Sequence, residues 1–310
     1  MIRKGLHILL LCVMLVMMPG CRKPGIDLPP PAYDPEQPAG PETPEPPAIP
    51  DTPPEIPGEV TYTLMSYNVG AFRKYYETLV HYSYPEVASV IQSVGAQVVG
   101  LNETDWGASR TDGEHQAAEL ASQLGSGWDA RFYFAAYNWY GNSLIWDTTV
   151  LPLEKEYPRL QLPKTDGAEV RSMGAVEFRD FVFCVTHLDH VSEADRLNAI
   201  NLITDWASTN FCSAGKPVFL VGDMNAEPGS ATIRKFHENW RQLTGNELTF
   251  STRNLRKCID FILVYKNGAE DIVDVVGSGV VTPARNAAAN IASDHCPSWV
   301  TLKWKTTESE

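Results

Sequence analysis

Six short apolar runs in the chain end in residues that can bind cations or move protons. "SYN" brings Asn68, "GLNE" brings Glu103, and "THLD" brings His187 and Asp189. "GDMN" supplies Asp223 and Asn225, "IDF" supplies Asp260, and "SDH" supplies Asp294 and His295. Asn and Asp are common in turns and caps, so any one of these has an ordinary structural explanation. Together they describe one polar cleft built at a common edge of the sheets. The donors are mostly oxygens, which suits a hard cation: Mg²⁺ first, with Mn²⁺ and Ca²⁺ as alternatives. Histidines beside aspartates suit proton transfer and phosphate contact. The chemistry implied is metal-assisted attack of water on a phosphoester. The stretch "VTHLDH" (185–190) by itself stays open between a His-Asp-His metal site, a catalytic imidazole at a cleft and a polar loop.

The elements that must carry these residues are mostly strands. Apolar, β-branched and aromatic runs predict strands at "YTLMSYNV", "QVVGLNE", "RFYFAA", "GNSLIW", "MGAVEF", "FVFCVTH", "PVFLVGDM", "CIDFILV", "IVDVVGSGVV" and "SWVTLKW". Helical spacing covers 85–93, 114–124 and 193–207, and Ser192 with Asp195 resembles a capping box at the start of the last. Many strands with interspersed helices predict an α+β protein, with two packed sheets flanked by helices.

The N-terminus predicts location. Arg3 and Lys4 precede the apolar run "LHILLLCVMLVMM" and then "PGC", which reads as a signal peptide over 1–20. Cys21 resembles the lipidation site of a bacterial lipoprotein, although Met18 and Pro19 depart from the usual box. The acidic, proline-rich 21–58 stretch has too little apolar surface for a core and predicts an extended tether. The expected product is exported and held at a membrane, periplasmic or at the cell surface, through a lipid on Cys21. Residues 59–310 form the remaining domain. A net charge of -13 argues against tight nonspecific nucleic-acid binding, which depends on neutralising phosphates with Lys and Arg. Cys184, Cys212, Cys258 and Cys296 allow several disulfide pairings that sequence cannot choose between, and Cys184 reads as a core thiol.

Taken in order, "MSYNVG", "GLNET", "GNSLIW", "VTHLDH", "VGDMNAEP", "CIDFIL" and "SDHCP" resemble the endonuclease/exonuclease/phosphatase superfamily across 60–304. That resemblance implies a four-layer α/β/β/α sandwich of two mostly antiparallel sheets. It also implies a metal-dependent phosphoric ester hydrolase, with a phosphomonoester or phosphodiester as substrate. Carried over by motif, Glu103 is the principal metal ligand with Asn68 beside it, and Asp294 completes the metal's surroundings. Asp223 and Asn225 orient or deprotonate the attacking water. His295 contacts the phosphoryl group and is held by Asp260. His187 is the second histidine, at the phosphate or the leaving oxygen.

Asn142, Asp189 and Arg171 are candidate substrate contacts, while His190 reads as loop or helix start. Arg196 is a phosphate-seeking arginine or an internal ion pair. Trp106, Tyr137, Trp139 and Tyr140 lie in two candidate specificity loops, where they stack on a sugar or base or simply pack. Two positions depart from the superfamily pattern: Asn102 stands where Gln is common, and Cys296 where an apolar residue is usual. The acidic surface favours a small, sugar-linked or lipid-linked phosphoester. A scavenging nuclease is the alternative within the class, and a non-catalytic binding module the alternative outside it. Replacing His295 by alanine is expected to stop the chemistry with little loss of stability.

Overall fold

Phe183 and Val185 point one way from their strand and Cys184 the other, yet all three are fully buried. Successive side chains alternate across a strand, so this strand has a packed layer on each side. The structure, a computed structural model, describes residues 59–74, 82–212 and 215–305. The expected signal peptide (1–20), tether (21–58) and Cys21 lie outside the described residues. The strands are β1 (Glu59–Asn68), β2 (Val98–Asp105), β3 (Trp128–Phe134), β4 (Tyr140–Asp147), β5 (Leu153–Gln161), β6 (Ser172–Phe178), β7 (Val182–His187), β8 (Val218–Asp223), β9 (Trp240–Gln242), β10 (Asp260–Tyr265), β11 (Asp274–Val280) and β12 (Ser298–Lys305). The helices are α1 (Tyr84–Gln92), α2 (Gln116–Leu124), α3 (Glu193–Phe211), α4 (Ala231–Asn239) and α5 (Ala289–Ala292).

The strands form two six-stranded sheets, ordered β11-β12-β1-β2-β4-β3 and β5-β6-β7-β8-β10-β9. Each sheet is antiparallel except for one central parallel pair, β1 with β2 and β7 with β8. Parallel neighbours need a crossover, and α1 and α3 supply it. Phe183, Val185, Phe219 and Val221 of one sheet meet Leu64, Val98, Leu144 and Val300 of the other. On the outer faces, Cys184 and Leu220 pack under Ile200, Ile203 and Phe236, while Met65 and Val99 pack under Val87, Ile91 and Leu120. Three apolar layers between four structural ones make the expected α/β/β/α sandwich. Each such side chain contributes about 1.5–3 kcal/mol on burial.

Two strands and two helices were not legible in the sequence. β5, "LEKEYPRLQ", is an edge strand with most of its residues exposed, charged side chains and a proline, so it lacks the apolar signal of the central strands. β9 has three residues and lies at the other edge. α4 buries only Thr232, Ile233 and Phe236, and α5 spans a single turn. The four cysteines are free thiols; burial raises the pKa of Cys184 and pushes Cys258 and Cys296 up to about 12.

The start of α3 organises the loop ahead of β6. Ser192 Oγ accepts from Asp195 N at 3.1 Å, as a capping residue should. The reciprocal half of the box is absent. Asp195 instead accepts from the backbone N–H groups of Thr165, Asp166 and Gly167, and Asp189 caps Ser192 N at 2.8 Å. Asp189 also accepts from Ala168, Glu169 and Val191. Five consecutive backbone donors, 165–169, therefore point at two carboxylates. Gly167 is required there, since a Cβ would lie 2.7 Å from the Asp189 carboxyl carbon and 2.8 Å from an Asp195 oxygen. Burial works against the Asp189 carboxylate, but its four N–H partners prevail and lower its pKa.

Candidate functional site

The two central parallel pairs end side by side. Register aligns Asn68 with Asn102 across β1 and β2, and His187 with Asp223 across β7 and β8. Asp260 opens β10 opposite Asp223, and Asn142 of β4 lies opposite Asn102. Candidate side chains thus collect where the two parallel pairs end, the kind of edge at which an α/β topology leaves room for a ligand. Gly222 permits the close approach of β7 and β8 immediately before Asp223; a Cβ there would sit 1.8 Å from the Thr186 carbonyl oxygen.

Asn102 ties the two sheets together beneath this edge. Its Nδ2 donates to Asn142 Oδ1 and to the Thr186 carbonyl, both at 2.9 Å, and its Oδ1 accepts from Asp223 N at 2.9 Å. All three groups are buried, so losing the bracket would strand polar atoms at about 1–3 kcal/mol each. The sequence offered Asn102 only as a variant before the metal glutamate. Its cross-sheet role depends on packing that no local pattern reveals.

Glu103 follows at a break in the β2–β4 register, with φ 58°. A left-handed glutamate inside a strand is strained, and bulges of this kind re-aim a side chain. Its Oε1 lies 3.2 Å from Asn68 Nδ2, which is also 3.1 Å from Asp223 Oδ2. The amide thus sits between two carboxylates. Asn68 Oδ1 accepts from Gly70 N at 3.1 Å, and Asp294 projects toward Gly70 from the loop before β12.

Asp260 and His295 form a buried pair, with Oδ2 2.9 Å from Nδ1. Burial alone would lower the His295 pKa, but the Asp260 charge and hydrogen bond, with help from Asp223 and Asp294, raise it to about 10. The ring is therefore an imidazolium at neutral pH. Its Nε2 lies 3.8 Å from Asp223 Oδ2, and His187 Nε2 lies 3.5 Å from the same oxygen. Asp223 is raised to about 7 by burial first and by the Asp260 charge second. Asn225, left-handed at φ 46°, places its Nδ2 2.9 Å from both His187 Nε2 and the Leu188 carbonyl. Asparagine tolerates that backbone better than most residues.

Three candidate substrate contacts occupy different places from those expected. Asp189 is buried with both oxygens on backbone donors, so it builds the 165–169 loop rather than the cleft. Asn142 is buried and bonded through both ends of its amide, to Asn102 and to the Ser172 carbonyl at 3.1 Å. Arg171 is buried against His187, with Nη1 3.1 Å from Nδ1. Arg196 braces the Asp189 carbonyl and Thr232, and His190 is exposed. Among the aromatics, Tyr140 is buried, the Arg110 guanidinium covers Trp139 at 4.6 Å, and Trp106 and Tyr137 are exposed.

The residues fit a divalent cation. Ligand atoms of Asp223, Asp260 and His295 lie within 4.8 Å of one another. Asp260 Oδ1 is buried with no hydrogen-bond partner. Glu103 adds a further carboxylate beside them, its Oε1 3.2 Å from Asn68 Nδ2, an excess of acceptors that calls for positive charge. Asp260 already holds His295, which leaves the Glu103–Asn68–Asp223 side as the better match.

A family model described as Endonuclease/Exonuclease/phosphatase family matches residues 65–295, a span that runs from β1 through His295. The chain belongs to the endonuclease/exonuclease/phosphatase family. Members of this family are hydrolases acting on phosphoesters, and the fold here is the family's phosphoesterase fold. A family protein from Bacteroides thetaiotaomicron is similar in structure, with TM-score 0.64 and 17% identity over 80% of this chain and 99% of that one. A mannosyl-6-phosphatase from Bacteroides thetaiotaomicron VPI-5482 matches with TM-score 0.59 and 19% identity, over 78% of this chain and 99% of that one. ANGEL2, a 2',3'-cyclic phosphatase, matches with TM-score 0.62 and 14% identity, over 79% and 96%. At these identities the likeness is one of fold. No curated protein matches the sequence.

Proposed function

We propose that the protein is an exported, membrane-tethered hydrolase that cleaves a small, sugar-linked or lipid-linked phosphoester with the help of Mg²⁺. The observation that carries this reading is the convergence of Glu103, Asn68, Asp223 and the Asp260–His295 pair at one strand edge. A bound divalent cation would supply charge that offsets the phosphoryl oxygens and the leaving group. His295, kept charged by Asp260, offers its Nε2–H to a phosphoryl oxygen. Asp223, whose Oδ2 lies 3.5 Å from His187 Nε2 and 3.8 Å from His295 Nε2, takes a proton from the attacking water as a general base. Asn225 helps fix that water, and His187 meets the phosphate or the leaving oxygen.

Two observations favour a small substrate over nucleic acid. The chain is acidic, at -13, and one protein of similar fold is a mannosyl-6-phosphatase. Turnover of a nitrophenyl phosphomonoester, a bis-nitrophenyl diester, DNA and a phospholipid, each with Mg²⁺, tests the choice. Hydrolysis of one or both nitrophenyl esters well above DNA is expected; DNA as the best substrate would make the protein a nuclease. Cell fractionation tests the tether, since Cys21→Ser should release the protein from the membrane fraction.

A further inference from the structure

Arg171 stands one residue ahead of β6, at the end of the loop that Asp189 and Asp195 hold, and its side chain is 5% exposed. Its Nη1 lies 3.1 Å from His187 Nδ1, and its Nη2 lies 3.2 Å from His190 Nδ1 and 3.4 Å from a Glu169 oxygen. Nε is buried without a partner. The Tyr140 hydroxyl interacts with the same side chain. A guanidinium has only donors and keeps its proton in proteins. The His187 Nδ1 can therefore meet it only with a lone pair. Asn225 Nδ2, 2.9 Å from Nε2, makes a competing claim, and a neutral imidazole accepts at one nitrogen only. The two claims are unequal: the Asn225 amide can present its oxygen after a half-turn, giving up its bond to the Leu188 carbonyl, whereas Arg171 has no acceptor to present.

We infer that Arg171 is a positioning residue that holds His187 in its Nε2–H tautomer, so the ring shows the substrate a neutral donor. This rests on the phosphoesterase reading for its catalytic meaning, but the tautomer itself does not. The two histidines of the site then differ by design of their partners: Asp260 makes His295 a cation, and Arg171 keeps His187 a neutral donor. The loop built by Asp189 and Asp195 acquires a purpose as the part that carries Arg171 to the ring.

Nitrogen-15 NMR of histidine-labelled protein tests this, with His187→Gln used to assign the ring. In the wild-type protein, His187 Nδ1 should resonate as a lone-pair nitrogen and Nε2 as a protonated one. In Arg171→Gln that preference should be lost, and kcat should fall on the order of 100-fold or more, as expected of a catalytic histidine in the wrong tautomer, with KM little changed. Arg171→Lys presents only donors, whereas glutamine can also accept, and it should restore both the Nδ1 signature and part of the rate. A wild-type ring protonated at Nδ1 would overturn the inference, as would Arg171→Gln leaving the tautomer unchanged. A raised KM at unchanged kcat would make Arg171 a substrate contact instead. The wild-type spectrum needs neither substrate nor an Arg171 variant, so it stands even if Arg171→Gln does not fold or the phosphoesterase reading fails.

Discussion

Replacing His295 by alanine is expected to lower phosphoester turnover by about 10³-fold or more, the upper range for a group that combines charge stabilisation with proton transfer. The imidazolium pairs with Asp260, and its Nε2 points on to Asp223. The same substitution is also expected to cost stability, contrary to the expectation from sequence alone. His295 is 5% exposed and Asp260 1%. Removing one partner of a buried ion pair costs about 3–5 kcal/mol, part of which Asp260 recovers by taking a proton. Steady-state kinetics with Mg²⁺ and chemical denaturation read the two effects separately. His295→Gln fills the space and keeps a neutral donor, so it should lose most of the rate with a smaller loss of stability. Wild-type turnover in either variant would remove His295 from the chemistry.

Replacing Asp223 by asparagine should lower kcat by about 10²–10⁴-fold, the usual range for losing a general base. Its effect on stability should have the opposite sign. Asp223 is buried beside Asp260, and its pKa is raised to about 7 in the folded protein. The unfolded chain gives up that proton near pH 4. Between these values the folded state binds more protons, so the metal-free protein should lose stability as pH rises from about 4 to 7. His295 acts in the same direction at higher pH. Raised to about 10, it contributes stability that is whole below its unfolded pKa of about 6.5 and lost as pH rises toward the folded value. Thermal melts of chelated protein should therefore decline from mildly acid to alkaline pH. Asp223→Asn should flatten the acid part of that decline and melt higher than wild type at pH 7. A wild-type melt that rises over the same interval would contradict the assigned charge states.

The candidate residues that meet in the fold were legible because chemistry and topology coincide at strand ends. Asn68, Glu103, His187 and Asp223 each close an apolar run, and the structure brings those ends together through β1, β2, β7 and β8. Asp260 and His295 lie 35 residues apart in sequence but pair at 2.9 Å, a contact that the family resemblance supplied and local pattern did not. Asn102, Asn142, Asp189 and Arg171 were placed less well. Each is a polar residue near the same edge, so sequence could not separate those facing the cleft from those bracing it. Asp189 and Arg171 are fixed by a loop whose donors converge from residues 165–169, and only the folded chain shows that those donors need acceptors. β5 escaped for a different reason: an edge strand that protects itself with charge and proline loses the pattern by which strands are read.

We propose that the acidic edge built by Glu103, Asn68 and Asp223 works with a divalent cation on a phosphoester. Protein stripped with a chelator and assayed on the nitrophenyl esters tests it most directly. The stripped protein should be inactive, and adding back Mg²⁺ should restore saturable turnover. Full activity in the continued presence of chelator, or no turnover with either Mg²⁺ or Mn²⁺, would contradict it.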